Sequence, residues 1–354
     1  MFFKSAAAVI AIVSALVGGS QTNAMAATEY VVGGLRLFEL KGDAPILAVG
    51  FYGRSVIATE GGEPGANRSL HWDDGTHDGP ELRFTLLVVV NPQPTDGLPD
   101  GVRKYSRDRT QAIWLSGPTE RYRHGVLGDA IEASGLAVAV AGGEVATLQL
   151  AESSVFEDRY PRLADIDGDG QDDIVVVRSY IDAGAALSVW TLKGGHVVNL
   201  GESPPIGRPN RWLNPAGIAD FDGDGRVEIA AVITPHIGGT LKLYELRDGR
   251  LAEKAAEPGF SNHEIGSRVL GMSAVLRGHP DGPVLAVPDT ARTTLRIVAF
   301  HGGRFAEWHR IPHDSAIATE IVARDLNGDG RDELIYALKD GRLTVVDGAG
   351  IGRP

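Results

Sequence analysis

The sequence predicts an all-β chain folded as a single β-propeller of four-stranded blades, and three observations support this prediction. One acidic motif recurs three times, beginning at Asp165, Asp220 and Asp325. The first two copies start 55 residues apart, and the third follows after 105 residues, about twice that step. After each copy, short apolar segments are separated by Gly-rich or Asp-Gly turns, the pattern of β-hairpins. Units of about 50 residues with four short strands are typical of propeller blades.

A further copy of the repeat is expected midway between the second and third motifs. There, residues 274–287 retain the apolar strand that follows the loop but lose most of the carboxylates. Val275, Arg277 and His279 depart from the acidic pattern. We interpret this segment as a repeat that kept its strand and lost its acidic loop.

The N-terminal part of the chain, residues 27–154, is less regular. Apolar runs at 46–49, 82–90 and 136–140 predict strands of three further blades. Residues 91–109 are rich in Pro, Gly and Asp and predict a loop. Together with the four units after residue 154, these runs favour seven blades, with six as the alternative.

The two ends of the chain are expected to meet in one blade. Residues 343–346 supply only part of the last unit. Strands within residues 30–40 would complete this blade and close the ring, which removes the exposed sheet edges.

The first 26 residues are predicted to be a signal peptide, so the propeller would occupy residues 27–354. Lys4 precedes an apolar run at 6–17 that is too short to span a bilayer, and Ala24-Met25-Ala26 fits a signal peptidase site. An uncleaved N-terminal anchor is the alternative. No later segment has the length of a membrane span, so we expect a periplasmic or secreted protein.

Composition excludes several classes of protein. The 354 residues include no cysteine, which excludes a lipoprotein anchor and disulfide-dependent folding. The formal net charge of −12 argues against a nucleic-acid-binding protein, because such proteins normally present a basic face.

The acidic motifs predict three calcium sites. Calcium takes six to eight oxygen ligands, and acids at positions 1, 3, 5 and 9 of each loop would supply them around a glycine-permitted bend. An EF-hand is excluded because position 12, which should be glutamate, is Val176, Ala231 or Tyr336. The predicted ligands are Asp165, Asp167, Asp169 and Asp173 in the first loop (165–173), Asp220, Asp222, Asp224 and Glu228 in the second loop (220–228), and Asp325, Asn327, Asp329 and Glu333 in the third loop (325–333).

Two other interpretations of these loops are less consistent with the sequence. Ordinary Asp-Gly turns would explain a single copy, but three copies with one ligand spacing favour a cation, since closely packed acids repel one another without it. Magnesium is disfavoured because a loop rich in protein oxygens suits the larger ion.

The motifs resemble those of the FG-GAP, or VCBS-type, repeat family, known from integrin α-subunit propellers and many exported bacterial proteins. The resemblance covers roughly residues 155–346 and is specific at the three acidic loops. It implies a propeller in which the twelve residues just named bind calcium between two strands of a blade. The unit with Val275, Arg277 and His279 departs from the motif, so no metal is expected there.

A ligand site is predicted on the face opposite the acidic loops, where arginines and aromatic residues recur. Arginine suits carboxylate or phosphate groups, and aromatic faces suit sugars, so an anionic ligand such as a glycan is one hypothesis. The alternative is that these residues pair with nearby acids such as Asp158, Asp182 and Glu264, or stack between blades. The candidates are Arg178, Tyr180, Arg208, Asn210, Arg211, Trp212, His236, His263, Arg268 and Arg292.

The functional hypothesis is a non-catalytic, exported, calcium-binding module that binds a ligand or an envelope protein. The sequence contains no G-x-S-x-G elbow, no H-E-x-x-H zinc motif and no phosphate-binding Gly-rich loop before a helix. The alternative is an exported enzyme that acts on a polysaccharide or other anionic polymer through the central funnel. A purely structural repeat protein that docks another envelope protein is a third possibility.

Overall fold

The computed structural model of the protein describes residues 25–41, 44–52, 55–61, 66–72, 80–86 and 94–353. Within these ranges the regular structure is β-strand apart from one 3-10 helix, Gly348–Gly350, which confirms the all-β class. No helix in the described ranges has the length and apolar character needed to cross a membrane. Of the predicted signal peptide, residues 1–24 lie outside the described residues.

The described residues form short strands of the length usual in globular proteins. In chain order they are β1 (Met25–Ala26), β2 (Thr28–Val32), β3 (Leu35–Leu40), β4 (Ile46–Tyr52), β5 (Ser55–Glu60), β6 (Ala66–Trp72), β7 (Pro80–Leu86), β8 (Lys104–Tyr105), β9 (Gln111–Thr119), β10 (Glu132–Val140), β11 (Val145–Gln149), β12 (Ser154–Phe156), β13 (Arg162–Ala164), β14 (Asp173–Tyr180), β15 (Gly184–Lys193), β16 (His196–Glu202), β17 (Leu213–Ala219), β18 (Glu228–Ile233), β19 (Thr240–Arg247), β20 (Arg250–Pro258), β21 (Ala274–Leu276), β22 (Val284–Pro288), β23 (Thr294–His301), β24 (Arg304–Pro312), β25 (Val322–Arg324), β26 (Glu333–Ala337) and β27 (Leu343–Val346).

Consecutive strands pair antiparallel, and the described strands fall into six groups. Groups 1 to 5 are β4–β7, β8–β11, β13–β16, β17–β20 and β21–β24, and group 6 is β25–β27 completed by β3 and β2. Strand β12 pairs with both β10 and β14, and one parallel residue pair joins β16 to β20. Groups 2 to 4 are therefore connected by hydrogen bonds into one 13-stranded sheet.

The two ends of the described chain share group 6. Strand β27 pairs antiparallel with β3, with Val345 opposite Phe38 and Val346 opposite Leu37. Leu37 and Phe38 are buried, so apolar packing accompanies the backbone pairing. The predicted meeting of residues 30–40 with the last C-terminal strand is confirmed.

The N-terminal groups differ from the arrangement that the sequence predicts. Strands β4 and β7, which contain the runs beginning at 46 and 82, lie in one group, although each run was expected in its own blade. An apolar run identifies a strand but not its partner, so the first and fourth strands of one group look like two units. Residues 87–93, which include the end of the second run and the start of the predicted loop at 91–109, lie outside the described residues. Residues 94–103 contain only an isolated bridge at Gly97, as expected for a loop, but β8 at Lys104–Tyr105 is a short strand that the loop prediction missed.

The second strand of each C-terminal group is buried on both faces. In β14, Ile174 and Val176 pack into a core shared with group 2, while Val175 and Val177 pack into a core shared with group 4. Strands β18, β22 and β26 alternate in the same way between their two neighbouring groups. This packing explains why these strands are continuous apolar runs instead of alternating ones. It also holds each acidic loop between two packed layers.

Truncation of Leu37 tests the join between the chain ends. We expect Leu37→Ala to lower the free energy of unfolding by about 3 kcal/mol, since the change leaves a cavity in the core between groups 5 and 6. Urea unfolding followed by circular dichroism measures the loss. Val31→Ala is the matched control, because Val31 on β2 is 64% exposed and its truncation should cost under about 0.5 kcal/mol. Equal losses in the two variants would contradict the proposed role of β3.

Candidate metal centre

Each acidic loop connects the first strand of a group to its buried second strand. The first loop joins β13 to β14, the second joins β17 to β18, and the third joins β25 to β26. The position-9 acid of each loop is also the first residue of the second strand. The loops therefore hold their carboxylates at equivalent places in three groups.

Two glycines shape the backbone of each loop. Gly168 and Gly170 have φ values of 80° and 90°, and the equivalent glycines of the other two loops lie in the same left-handed region. A side chain at either position would strain the backbone, so both glycines are needed for this turn. Sequence reasoning recognised the need for glycine at position 6 but missed it at position 4.

The position-1 aspartate organises the loop backbone. Asp165 Oδ1 accepts a hydrogen bond of 2.8 Å from the Gly168 N–H, and its Oδ2 accepts one of 2.9 Å from the Gly170 N–H. Asp220 and Asp325 accept the same pair of hydrogen bonds. The loop thus folds around its own carboxylate, and the remaining acids are positioned by this turn.

The position-9 acids are fully buried. Asp173, Glu228 and Glu333 are each 0% exposed. One carboxylate oxygen of each accepts a hydrogen bond from the backbone N–H of loop position 2, at 2.9, 2.8 and 2.7 Å. The second oxygen of each carboxylate is in a different environment, and this difference distinguishes the loops.

In the first loop the second oxygen has no partner. Asp173 Oδ1 is buried and accepts no hydrogen bond. Oxygens of Asp165, Asp167 and Asp173 all lie within 4.8 Å of one another. Burial raises the pKa of Asp173 to about 6, although the backbone N–H of Ile166 opposes this rise. A buried carboxylate with one unpartnered oxygen, grouped with two more carboxylates, fits a hard divalent cation.

In the second loop a lysine lies among the carboxylates. Lys254 Nζ, from β20, is 2.6 Å from Asp222 Oδ2, 2.6 Å from Glu228 Oε1 and 2.9 Å from Glu245 Oε2. Burial opposes the charge of the ammonium, but these hydrogen bonds outweigh it and raise the pKa of Lys254. Glu245 is buried near the end of β19, opposite Glu228. Its hydrogen bonds, of which the one from Arg247 has the largest effect, lower the pKa of Glu245 to about 2.

In the third loop, position 3 carries the amide of Asn327 instead of a carboxylate. Asn327 Nδ2 donates a hydrogen bond of 3.2 Å to Glu333 Oε1, and Asn327 Oδ1 accepts one of 2.9 Å from the Asp329 N–H. Burial raises the pKa of Glu333 to about 7. The predicted ligand set of the third loop therefore has three carboxylates, against four in each of the other two loops.

The position-5 aspartates are exposed and bind the backbone two residues ahead. Asp169 accepts from the Gln171 N–H, Asp224 from the Arg226 N–H and Asp329 from the Arg331 N–H, at 2.8 to 2.9 Å. Each carboxylate keeps an oxygen free of this turn, so it remains available as a ligand.

The unit expected to lack a metal keeps its strand pair. Strands β21 and β22 pair antiparallel from Ala274 to Leu276. The connection contains Arg277 and His279, and the His279 ring packs against Trp308 with the ring centroids 4.7 Å apart. Aromatic packing occupies this connection in place of an acidic cluster.

On the opposite face, the structure brings three of the ten candidate ligand residues into contact. The Trp212 ring stacks on His236 with an interplanar angle of 4°, and His263 lies 4.7 Å from Trp212 between ring centroids. Trp212 and His263 are buried, and Trp212 Nε1 donates to the backbone oxygen of Glu157. These three residues form a packed aromatic cluster.

The remaining candidates are distributed among local partners. Arg178 and Tyr180 both contact Glu202, Arg268 pairs with Asp100 and Asp129, and Arg292 lies 3.7 Å from Glu264. Arg211 donates to the backbone oxygen of Asn210, and Asn210 N–H donates to Tyr122 Oη. Arg208 is exposed and forms no side-chain hydrogen bond or ion pair in the described part of the chain. The structure does not bring these seven residues together into one site.

Two residues of the second loop's environment escaped sequence reasoning. Glu245 and Lys254 lie on the third and fourth strands of group 4, well after the acidic motif in the chain. The pairing of β18 with β19 and of β19 with β20 places both residues beside the loop. The acidic motif itself does not indicate this register, and only a strand-by-strand alignment of the repeats would have suggested it. Lys254 is the extra residue at an irregularity in the pairing of β19 with β20.

Comparison with known proteins identifies one repeat. The family model described as an FG-GAP-like repeat matches residues 165–231, which run from the start of the first loop into β18 after the second loop. No curated protein matches the chain.

The buried histidines predict a pH effect on stability. His263 Nε2 donates to the Ser267 oxygen, so its Nδ1 must accept from His236 Nε2, 2.8 Å away. Burial lowers the pKa of His236 to about 4 and that of His263 to about 3. The unfolded histidines, with a pKa near 6.5, bind protons first as the pH falls, so stability is lost from about pH 6.5 downward.

We expect His236→Gln to reduce this acid-induced loss by about 1 kcal/mol at pH 5, after discounting for partial exposure, because the Gln amide keeps the donor and cannot titrate. Urea unfolding of the variant and the wild type at pH 7 and pH 5 measures the difference. The exposed His196→Gln is the control and should follow the wild type. A His236→Gln variant with the full wild-type pH dependence would show that this pair does not control acid sensitivity.

Proposed function

We propose that this chain, which contains an FG-GAP-like repeat at residues 165–231, is an exported, calcium-stabilised β-propeller. In this proposal it acts as a non-catalytic binding module. The observation that carries the proposal is the fully buried Asp173 carboxylate, which has one oxygen without a hydrogen bond and forms a group with the carboxylates of Asp165 and Asp167. A divalent cation would give this oxygen the partner that the protein does not supply.

The arrangement of the groups supports the propeller. Cores of buried side chains lie between groups 2 and 3, 3 and 4, 4 and 5, 5 and 6, and 6 and 1. The sheets are stacked in chain order, and strands from both ends of the chain lie in one sheet. A ring of blades has this architecture. The number of groups favours six blades, the alternative count of the sequence analysis.

Calcium is the ion that the first loop fits best. Asp165, Asp167, Asp169 and Asp173 would hold it, and all four supply hard oxygen ligands without nitrogen or sulfur. When bound, the ion would supply positive charge at the point where a buried carboxylate begins β14. The residues of the third loop would do the same with one amide oxygen in place of a carboxylate.

A binding role is supported by the face opposite the acidic loops. Ile181, Ile237 and Ile265 lie on connections at that end of groups 3 and 4 and are 42%, 61% and 67% exposed. The unpaired Arg208 lies at the same end. Exposed apolar side chains beside a free guanidinium suit a partner with apolar and anionic groups, such as an envelope protein or an anionic glycan.

Substitution of Asp173 tests the calcium proposal. Calcium at a hundredfold excess over its Kd should stabilise the wild type by about 2.7 kcal/mol for each filled site. Asp173→Asn should remove the first-loop site while leaving the chelated protein at least as stable as the wild type, because a buried charge with an unpartnered oxygen is lost. Melting temperatures in EGTA and in calcium, with calcium stoichiometry from isothermal titration calorimetry, measure both effects.

The control is Gln171→Ala, an exposed change in the same loop that should leave the calcium response intact. The calcium proposal fails if the wild type shows no rise in melting temperature at millimolar calcium, or if Asp173→Asn binds as many ions as the wild type.

A further inference from the structure

The second loop already contains a positive charge at its centre. The Lys254 ammonium contacts Asp222, Glu228 and Glu245, and its nitrogen lies 4.0 Å from Asp224 Oδ2. Its side chain is 15% exposed, so it is held among the carboxylates and not extended into solvent. Three of these acids, Asp222, Asp224 and Glu228, are predicted ligands of the second calcium site.

The ammonium nitrogen lies where a bound ion would lie. Calcium binds oxygen ligands at about 2.3–2.6 Å, and Nζ is 2.6 Å from both Asp222 Oδ2 and Glu228 Oε1. Oxygens close enough to share an ion form two sets at this loop, one from Asp220, Asp222 and Glu228 and one from Asp224, Glu228 and Glu245. Lys254 already contacts acids of both sets. Two cations at this point would overlap and repel each other, so the ammonium and the ion exclude one another.

The first loop lacks both members of this arrangement. Asp173 begins β14 as Glu228 begins β18, and the strand registers align Thr191 with Glu245. The pairing of β15 with β16 has the same irregularity as that of β19 with β20, and it aligns Leu200 with Lys254. The first loop therefore has a hydroxyl and an apolar side chain where the second has an acid and its lysine.

The third loop has the acid without the lysine. Asp347 follows β27 opposite Glu333, in the place of Glu245. Asp347 pairs with Arg36 at 3.6 Å, and Glu333 forms no ion pair in the described part of the chain. The buried lysine is thus specific to the second loop among the three.

We propose that Lys254 is the built-in cation of the second loop, which therefore binds no calcium at concentrations that fill the first loop. This inference rests on the proposed calcium binding of the other loops. It reduces the number of calcium ions from the three that the motif predicts to two. It also makes the folding of group 4 independent of the metal.

Equivalent substitutions in the two loops test the proposal without removing the lysine. Asp167 and Asp222 occupy position 3 of their loops. Calcium stoichiometry by isothermal titration calorimetry should fall by one ion in Asp167→Asn and should not change in Asp222→Asn. Loss of one ion in Asp222→Asn would overturn the proposal, because it would show that the wild-type second loop binds calcium.

Removal of the lysine should open the second site. Lys254→Leu copies the Leu200 of the first loop, and we expect it to bind one more calcium ion than the wild type. In EGTA its melting temperature should fall below that of the wild type, and calcium should restore it. Lys242→Leu is the control, since the one ion pair that Lys242 forms within the described residues is with the exposed Glu253. The proposal is wrong if Lys254→Leu, folded by circular dichroism in calcium, binds no more ions than the wild type.

The two proposals can fail separately. If the wild type and Asp167→Asn both bind no calcium while Lys254→Leu binds one ion, the calcium role of the first loop is wrong and the role of Lys254 stands. If Asp167→Asn loses one ion and Asp222→Asn loses another, calcium binding stands and the role of Lys254 is wrong.

Discussion

A buried carboxylate at the start of the second strand is the constraint on which groups 3, 4 and 6 depend. Asp173, Glu228 and Glu333 are fully buried, yet each begins a strand that packs on both faces against neighbouring groups. Burying an uncompensated charge costs several kcal/mol, so each group must neutralise its acid or hold it protonated. The loops meet this requirement differently: with a lysine in group 4, and in group 3 with oxygens arranged for an ion.

The acidic loops couple this charge to the stacking of the sheets. The position-1 aspartate and the two glycines shape the loop, so the position-9 acid enters its strand at a defined point. The next residues of that strand, such as Ile174 and Val175, belong to the cores on either side of it. A cation at the loop would thus stabilise the start of a strand that two cores share, and metal binding would contribute directly to folding.

Sequence reasoning predicted the features that depend on local pattern. The repeated motif located the loops, and the incomplete last unit led to the pairing of β27 with β3. Features that depend on register were not predictable from the pattern. Strand pairing places β4 and β7 in one group and Lys254 beside Glu228. It also places Arg178 and Arg268 next to acids with which each forms its own ion pair. Spacing alone carries no information on which strands pair or on irregularities in their register.

The differences between the loops divide the chain into regions with different needs for metal. Group 4 has a lysine among its carboxylates, and group 5 has Arg277 and His279 where groups 3, 4 and 6 have acids, so we propose no ion for either. These two groups are adjacent and share a core that includes Val232 and Leu285. Groups 3 and 6 lie on either side of this pair and keep buried acids without an internal lysine. If the first and third loops bind calcium as proposed, groups 4 and 5 would form a metal-independent pair between two groups that the ion stabilises.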